Sequence, residues 1–418
     1  MKRNNMRLKS IYSINDSFNI LMILLIVVFL ILLLYNPLGA QLNVFFARTA
    51  DLFADFLNLQ IYISDNDVYH NMYKGLSQKN YLPIAYMILA LFSGFEQYSG
   101  KTLPDTYLSH PAIISCILFT LISVLLFFHS LSKLVKLDAK LIFIISFTSV
   151  FLFAIERCNL IMIAASMAFY YLAYKDSVYL KYRYFALTAL CLSVVLKGYP
   201  IVLGLYLLQE KRFKDILFCI IITMLLTFLP FLFFKHGFDN IPQFLDNVML
   251  NNQLMEKGTY PRFGLFVFNY YFFAALHAYN TIYSVVGFYI AKSSVIILSI
   301  VSILLFFKEN EPWKKLMLIS VIIAFLPSNN GFYCGLYFFP SLLLFLKDSD
   351  NDVKDYVYML LFCLVLNPLQ IVIYGYTITW LLSNFAAFVM WIMIIIENLT
   401  KLKGKHLFQC KGYELTKE

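Results

Sequence analysis

The chain has 418 residues, 61% of them hydrophobic and 18% aromatic against 14% charged, and its mean hydropathy is +0.73. That balance excludes an ordinary soluble domain, which is about half apolar and a quarter charged, and fits an integral membrane protein. The formal net charge of +9 does not point to nucleic acid, because the basic residues fall in short clusters between apolar runs rather than along a stripe interleaved with aromatics.

In chain order, the N-terminal MKRNNMRLKS precedes an apolar run from Phe18 to about Leu38. This run is near the ~20 residues a span needs and has no clear small-x-small cleavage site after it, so it reads as a retained first span with a cytoplasmic N-terminus. Residues 39–110 then form a first large external loop carrying Asp51, Asp55, Asp65, Asp67 and His70. Spans are expected at about 111–130, 141–156, 159–174, 184–196, 199–209 and 214–234. A second external loop, 235–287, carries Asp239, Asp246 and Glu256, and spans follow at 288–307, 315–327, 333–346, 356–373 and 378–398. The expectation is an all-α polytopic membrane protein of about twelve transmembrane helices with external amphipathic helices in the first large loop, residues 1–418 forming one membrane domain with both termini cytoplasmic. This register puts most of the 33 basic residues on the cytoplasmic side, as the positive-inside rule requires. The apolar stretch Tyr81 to Phe95 would flip every later cluster if it crossed, so it and Gly264 to Tyr279 are expected to lie on or partly in the outer leaflet. The seven cysteines occur singly, with no CxxC pair, and read as small apolar residues rather than a disulfide frame. His70 has no partner at ligand spacing and reads as a loop residue, so neither a metal nor another cofactor is expected.

One stretch breaks the apolar pattern. In AIERCNLI, Glu156, Arg157 and Asn159 follow an apolar run of about fifteen residues, or roughly 22 Å of helix against about 30 Å of hydrocarbon. The polar group is therefore expected to sit below the outer surface, where charge is tolerated in a water- or ligand-filled cavity. The next hairpin repeats the device: FALTALCLSVVLKGYP stops at Lys197, Gly198, Tyr199 and Pro200 on the same side. Singly, Glu156 and Arg157 could neutralise each other and Lys197 could snorkel. Two recessed cations on one side suit a phosphate, since charge-assisted hydrogen bonds strengthen in a low dielectric.

From Glu156 to Asp215 the order of features resembles glycosyltransferase family 87: an Arg-Gly-Asn turn, here Arg157-Cys158-Asn159, a span, a short cytoplasmic turn, then a span ending in Lys-x-Tyr-Pro, here Lys197 to Pro200, and a basic cytoplasmic loop. Upstream, SDNDVYHNMYKGLSQKNYLP resembles the family's Asp-x-x-Val-Tyr and Tyr-Pro-Pro segments through Asp65, Val68, Tyr69 and Tyr81-Leu82-Pro83. Downstream, FLPSNNGFYCGLYFFP resembles its Ser-Pro-x-Ser-Trp-x-His stretch without the Trp and His. The resemblance implies a GT-C-like, mannosyltransferase-like enzyme that moves a hexose, with inversion, from a polyprenyl-phosphate donor to a glycan or glycolipid acceptor at the external face of the inner (cytoplasmic) membrane. It further implies Asp65 as general base; Asp67, two residues on and so on the same face of an extended segment, is its rival, and the recessed Arg157 and Lys197 are expected on the donor phosphate with Glu156, Asn159, Tyr69 and Tyr199 in support. The competing readings are an O-antigen or capsule polymerase, and a lipid-linked sugar flippase, for which repeated broken helices would be expected.

Overall fold

The computed structural model describes residues 13–35, 52–64, 67–71, 75–93, 98, 100–256, 262–275, 282–327, 330–373 and 376–414. Among them the chain is almost wholly helical; the only strands are two-residue pieces, Val372–Ile373 and Tyr376–Thr377, paired antiparallel. Each apolar run expected to cross carries helix. Among the described residues five helices are long and apolar enough to span a bilayer: Ile14–Tyr35, His110–Leu134, Phe213–Phe233, Tyr283–Phe306 and Ile378–Lys401. A bent pair, Ala139–Ser146 and Ser149–Arg157, makes a sixth candidate. An all-α polytopic membrane protein is what these helices build.

Several of the remaining runs form shorter helices, and packing explains how they can. Pro312–Phe325 is 14 residues, about 21 Å; from Trp313 to Phe325 every position but Lys315 is buried, so protein rather than lipid surrounds it. Ile161–Tyr174 is likewise mostly buried. The long helices are the opposite case, exposing Leu24, Ile31, Ile117, Leu125, Leu217, Ile221, Ile297 and Leu304 as outward apolar stripes of the kind that face lipid.

Local chemistry sets the boundaries. Ser109 caps His110–Leu134 by accepting from the Ala112 N–H at 3.4 Å, and Asp138 caps Ala139–Ser146 by accepting from Leu141 at 2.7 Å. Leu180–Lys197 ends where Gly198 turns to a φ of 55°, a conformation open to glycine. Two cores result. The larger surrounds Pro312–Phe325 within the helix bundle. The smaller joins Ala54–Tyr62 and Pro83–Ala90 of the first loop to Cys116, Phe119, Cys158, Leu160, Ile163, Leu196 and Phe231. The first-loop helices expected to be amphipathic are therefore docked: Ala54–Tyr62 buries seven of its nine residues.

The hairpin formed by Ile161–Tyr174 and Leu180–Lys197 has two chemically different ends. At one, Arg183 and Arg212 both grip Asp215, through contacts of 2.6 to 3.2 Å, and Lys175 pairs with Asp176 at 2.6 Å and with Glu210. The other end, about 27 Å along an 18-residue helix, carries Lys197.

Candidate active site

The first loop enters the bundle at Phe53. Its φ of 54° is left-handed, and its N–H donates to the Glu156 carbonyl at 2.8 Å, which ties the start of Ala54–Tyr62 to the end of Ser149–Arg157. Asp55, in the first turn of that short helix, thereby faces the turn at 157–159. Cys158 caps Ser149–Arg157 with a φ of 49°, filling the left-handed position for which glycine is the usual occupant. That reversal sends Arg157 and Asn159 toward one carboxylate: the Arg157 guanidinium donates to Asp55 Oδ1, and Asn159 Nδ2 donates to Asp55 Oδ2 at 2.6 Å. The Asn159 amide is oriented because its Oδ1 accepts the Ile161 N–H at 2.8 Å.

Lys197 completes the cluster from the next hairpin. Its ammonium donates to the Tyr81 hydroxyl at 3.0 Å and lies 4.7 Å from the Tyr81 ring centre and 5.6 Å from that of Tyr333. Asn159 also reaches the Tyr81 hydroxyl, at 3.4 Å. Two cations thus converge on one carboxylate and one tyrosine hydroxyl. Burial pushes the Asp55 carboxyl up, but Arg157, Asn159 and Lys197 outweigh it and hold it below the ordinary aspartate range. With its side chain 20% exposed, Asp55 is ionised and reachable.

The expected site residues sort as follows. Arg157, Lys197 and Asn159 come together. Glu156 is buried beside them and contributes its carbonyl to Phe53. Tyr69 acts at one remove: buried against Tyr86, Phe231, Phe234 and Phe244, it donates its hydroxyl to the Tyr81 carbonyl at 3.0 Å. Tyr199 packs behind the site, edge-on to Tyr337, with the Cys334 thiol 3.5 Å from its hydroxyl. Asp67 points elsewhere, with Oδ2 3.3 Å from Lys235 and Oδ1 3.1 Å from His70 Nδ1. A little burial raises its carboxyl, and Lys235 and His70 more than reverse this. Asp65 lies outside the described residues.

Sequence reasoning passed over Asp55 and Tyr333 as site residues. Asp55 belongs to no spaced motif, and its one signal is an acid in the first turn of a short apolar helix in the first loop. Tyr333 stands in the stretch where a Trp and a His were missed, and the structure brings that stretch to Lys197.

Chemically, the cluster can bind an anion between Arg157 and Lys197 beside a carboxylate able to accept a proton. The family model for Glycosyltransferase family 87 matches residues 81–329, more than half of the chain. That interval contains Tyr81, Arg157, Asn159 and Lys197, while Asp55, Asp65 and Asp67 precede it. No curated protein and no solved structure matches the chain.

Proposed function

Because the chain belongs to glycosyltransferase family 87 and is a membrane glycosyltransferase, we propose that it transfers a hexose from a polyprenyl-phosphate donor to a glycan or glycolipid acceptor. The observation that carries this reading is the convergence of Arg157 and Lys197, two cations from separate hairpins, on one carboxylate and one tyrosine hydroxyl. The donor phosphate binds between the two cations. An acceptor hydroxyl oxygen attacks the anomeric carbon from the opposite side, the bond from that carbon to the phosphate oxygen breaks, and the phosphate leaves with the electron pair. The acceptor proton passes to a carboxylate, and the anomeric configuration inverts. Arg157 and Lys197 stabilise the charge that builds on the departing phosphate, where preorganised cations are worth most.

We assign the proton acceptor to Asp55 first and to Asp65 as the alternative. What supports Asp55 is its direct contact with Arg157 and Asn159; what supports Asp65 is its place in the Asp-x-x-Val-Tyr pattern. Arg157 holds Asp55 weakly basic. A bound phosphate shares that guanidinium, which lets the Asp55 carboxyl rise toward the range of a useful base. The reaction takes place at the external face of the cytoplasmic membrane, with both termini inside. The ion-paired basic end of the Ile161–Lys197 hairpin supports that orientation, because it lies opposite the candidate site.

The test is donor affinity. Lys197→Met should raise the apparent donor KM about tenfold or more while Lys197→Arg keeps part of the affinity, since a point charge is lost in the first and replaced in the second. An unchanged donor KM in Lys197→Met would leave Lys197 as a snorkelling residue and remove it from the site.

A further inference from the structure

We propose that Asp67, His70 and His236 form a binding site for one divalent transition-metal ion of the zinc type, which clamps the two large loops together. In sequence His70 has no partner at ligand spacing; the fold supplies one from 166 residues downstream, and one oxygen or ring nitrogen from each of the three residues lies within 4.8 Å of the others. Asp67 Oδ1 is 3.1 Å from His70 Nδ1, and Asp67 Oδ2 is 3.7 Å from His236 Nε2. Zinc bonds of about 2.0–2.2 Å in tetrahedral geometry set ligand atoms about 3.3 Å apart, close to the two spacings from the Asp67 carboxylate to the imidazoles. Two imidazoles with one carboxylate favour zinc, nickel or copper over magnesium or calcium, and three protein ligands leave a fourth position for water.

Both ligand turns are fixed before any ion arrives. The 67–71 turn is closed by the His70 and Asn71 N–H groups donating to the Asp67 carbonyl, and the buried Tyr69 anchors it. The 235–237 turn is closed by Asn240 Nδ2 donating to the Lys235 and Gly237 carbonyls at 2.6 and 3.0 Å, and His236 is held there with a φ of 68°. A left-handed non-glycine residue is costly and is kept where the surroundings over-determine it, as at ligand clamps. Lys235 sits 3.3 Å from Asp67 and its side chain is 59% exposed, so it can swing into solvent as the ion takes its place. Through Tyr69 and its bond to the Tyr81 carbonyl, the clamp connects to the residue that receives Lys197.

The full chain in lipid nanodiscs, purified without a histidine tag and stripped with chelator, should bind one equivalent of zinc chloride by titration and by metal content. Cobalt(II) chloride should give the visible absorption of a low-coordinate ion. His70→Gln and His236→Gln should each weaken zinc binding about tenfold or more, whereas the exposed Lys235→Met should tighten it several-fold by removing the competing ammonium. The chelated variants should melt with the wild type, so that weaker binding reports the ligand and not the fold. Absence of bound zinc in the wild type, or one affinity shared by the wild type and all three variants, overturns the site.

Discussion

Cys158 bends the chain where a glycine would ordinarily stand, and its left-handed φ of 49° aims Arg157 and Asn159 at Asp55. Its thiol is buried 3.3 Å from that of Cys116 and 3.2 Å from the Thr120 hydroxyl, so the side chain packs as well as turns. Cys158→Gly trades that packing against relief of backbone strain and should stay within about 1 kcal/mol of the wild type, while Cys158→Val, stiff at χ1 and unsuited to a left-handed position, should lose about 2 kcal/mol or more. Thermal melting in detergent distinguishes them, and an equal loss in both variants would mean that conformation is not what the position demands. Asp55 has its own variant. Asp55→Asn keeps the shape and removes the proton acceptor, so turnover should fall ~100-fold or more, with Asp65→Asn costing less; the reverse order moves the base to Asp65. The pH dependence follows in sign. A carboxyl held below its usual value contributes stability that is fully present above about pH 4 and lost as pH falls through the depressed value, so melting between pH 5 and 8 should not respond to this pair. Arg157 and Lys197 were legible in the sequence because cations interrupting apolar runs stand out. Asp55 was not, because a carboxylate in a loop already rich in acids carries no mark until a contact 102 residues away is known.

At the scale of elements, apolar runs showed where helices form and hid where they break. The run at 141–156 reads as one helix, yet it bends by 63° between Ser146 and Ser149. Neither proline nor glycine marks the break; Thr148 takes an extended conformation and donates its hydroxyl to the Ile145 carbonyl at 2.8 Å, satisfying locally what the helix gives up. The clusters of Lys and Arg between helices read as topology signals, and the fold uses several as fasteners. Asp215 is almost wholly buried and serves both Arg183 and Arg212, joining the first turn of Leu180–Lys197 to the start of Phe213–Phe228. Asp215→Asn should destabilise by about 2 kcal/mol, less than a fully buried pair because Arg183 is about one-third exposed. The same substitution should leave donor KM unchanged, since the pair lies at the far end of the hairpin from Lys197; a large KM effect would break the separation of fastening and site.

For the whole molecule, hydropathy and charge were enough to read an all-α polytopic membrane protein, because lipid imposes both on the chain. Several of the runs read from hydropathy are helices of fewer than 18 residues among the described residues, since a helix sheathed by other helices can be short without exposing backbone to lipid. Orientation is tested by cysteine labelling. An impermeant reagent added outside should modify Leu108→Cys, at a position 83% exposed, and spare the exposed position of Lys136→Cys on the far side of His110–Leu134. The reverse pattern would invert the topology and place the cluster of Asp55, Arg157 and Lys197 inside. The central claim, that this cluster moves a sugar off a lipid phosphate, is tested most directly by incubating the purified protein in lipid with a panel of radiolabelled polyprenyl-phosphate sugars and an extract of candidate acceptors. The account predicts that one donor labels an acceptor with inverted anomeric configuration and releases polyprenyl monophosphate in equal amount, and that Lys197→Met does so only at much higher donor concentration. Transfer from a nucleotide sugar in place of every lipid donor, or a product of retained configuration, would contradict it.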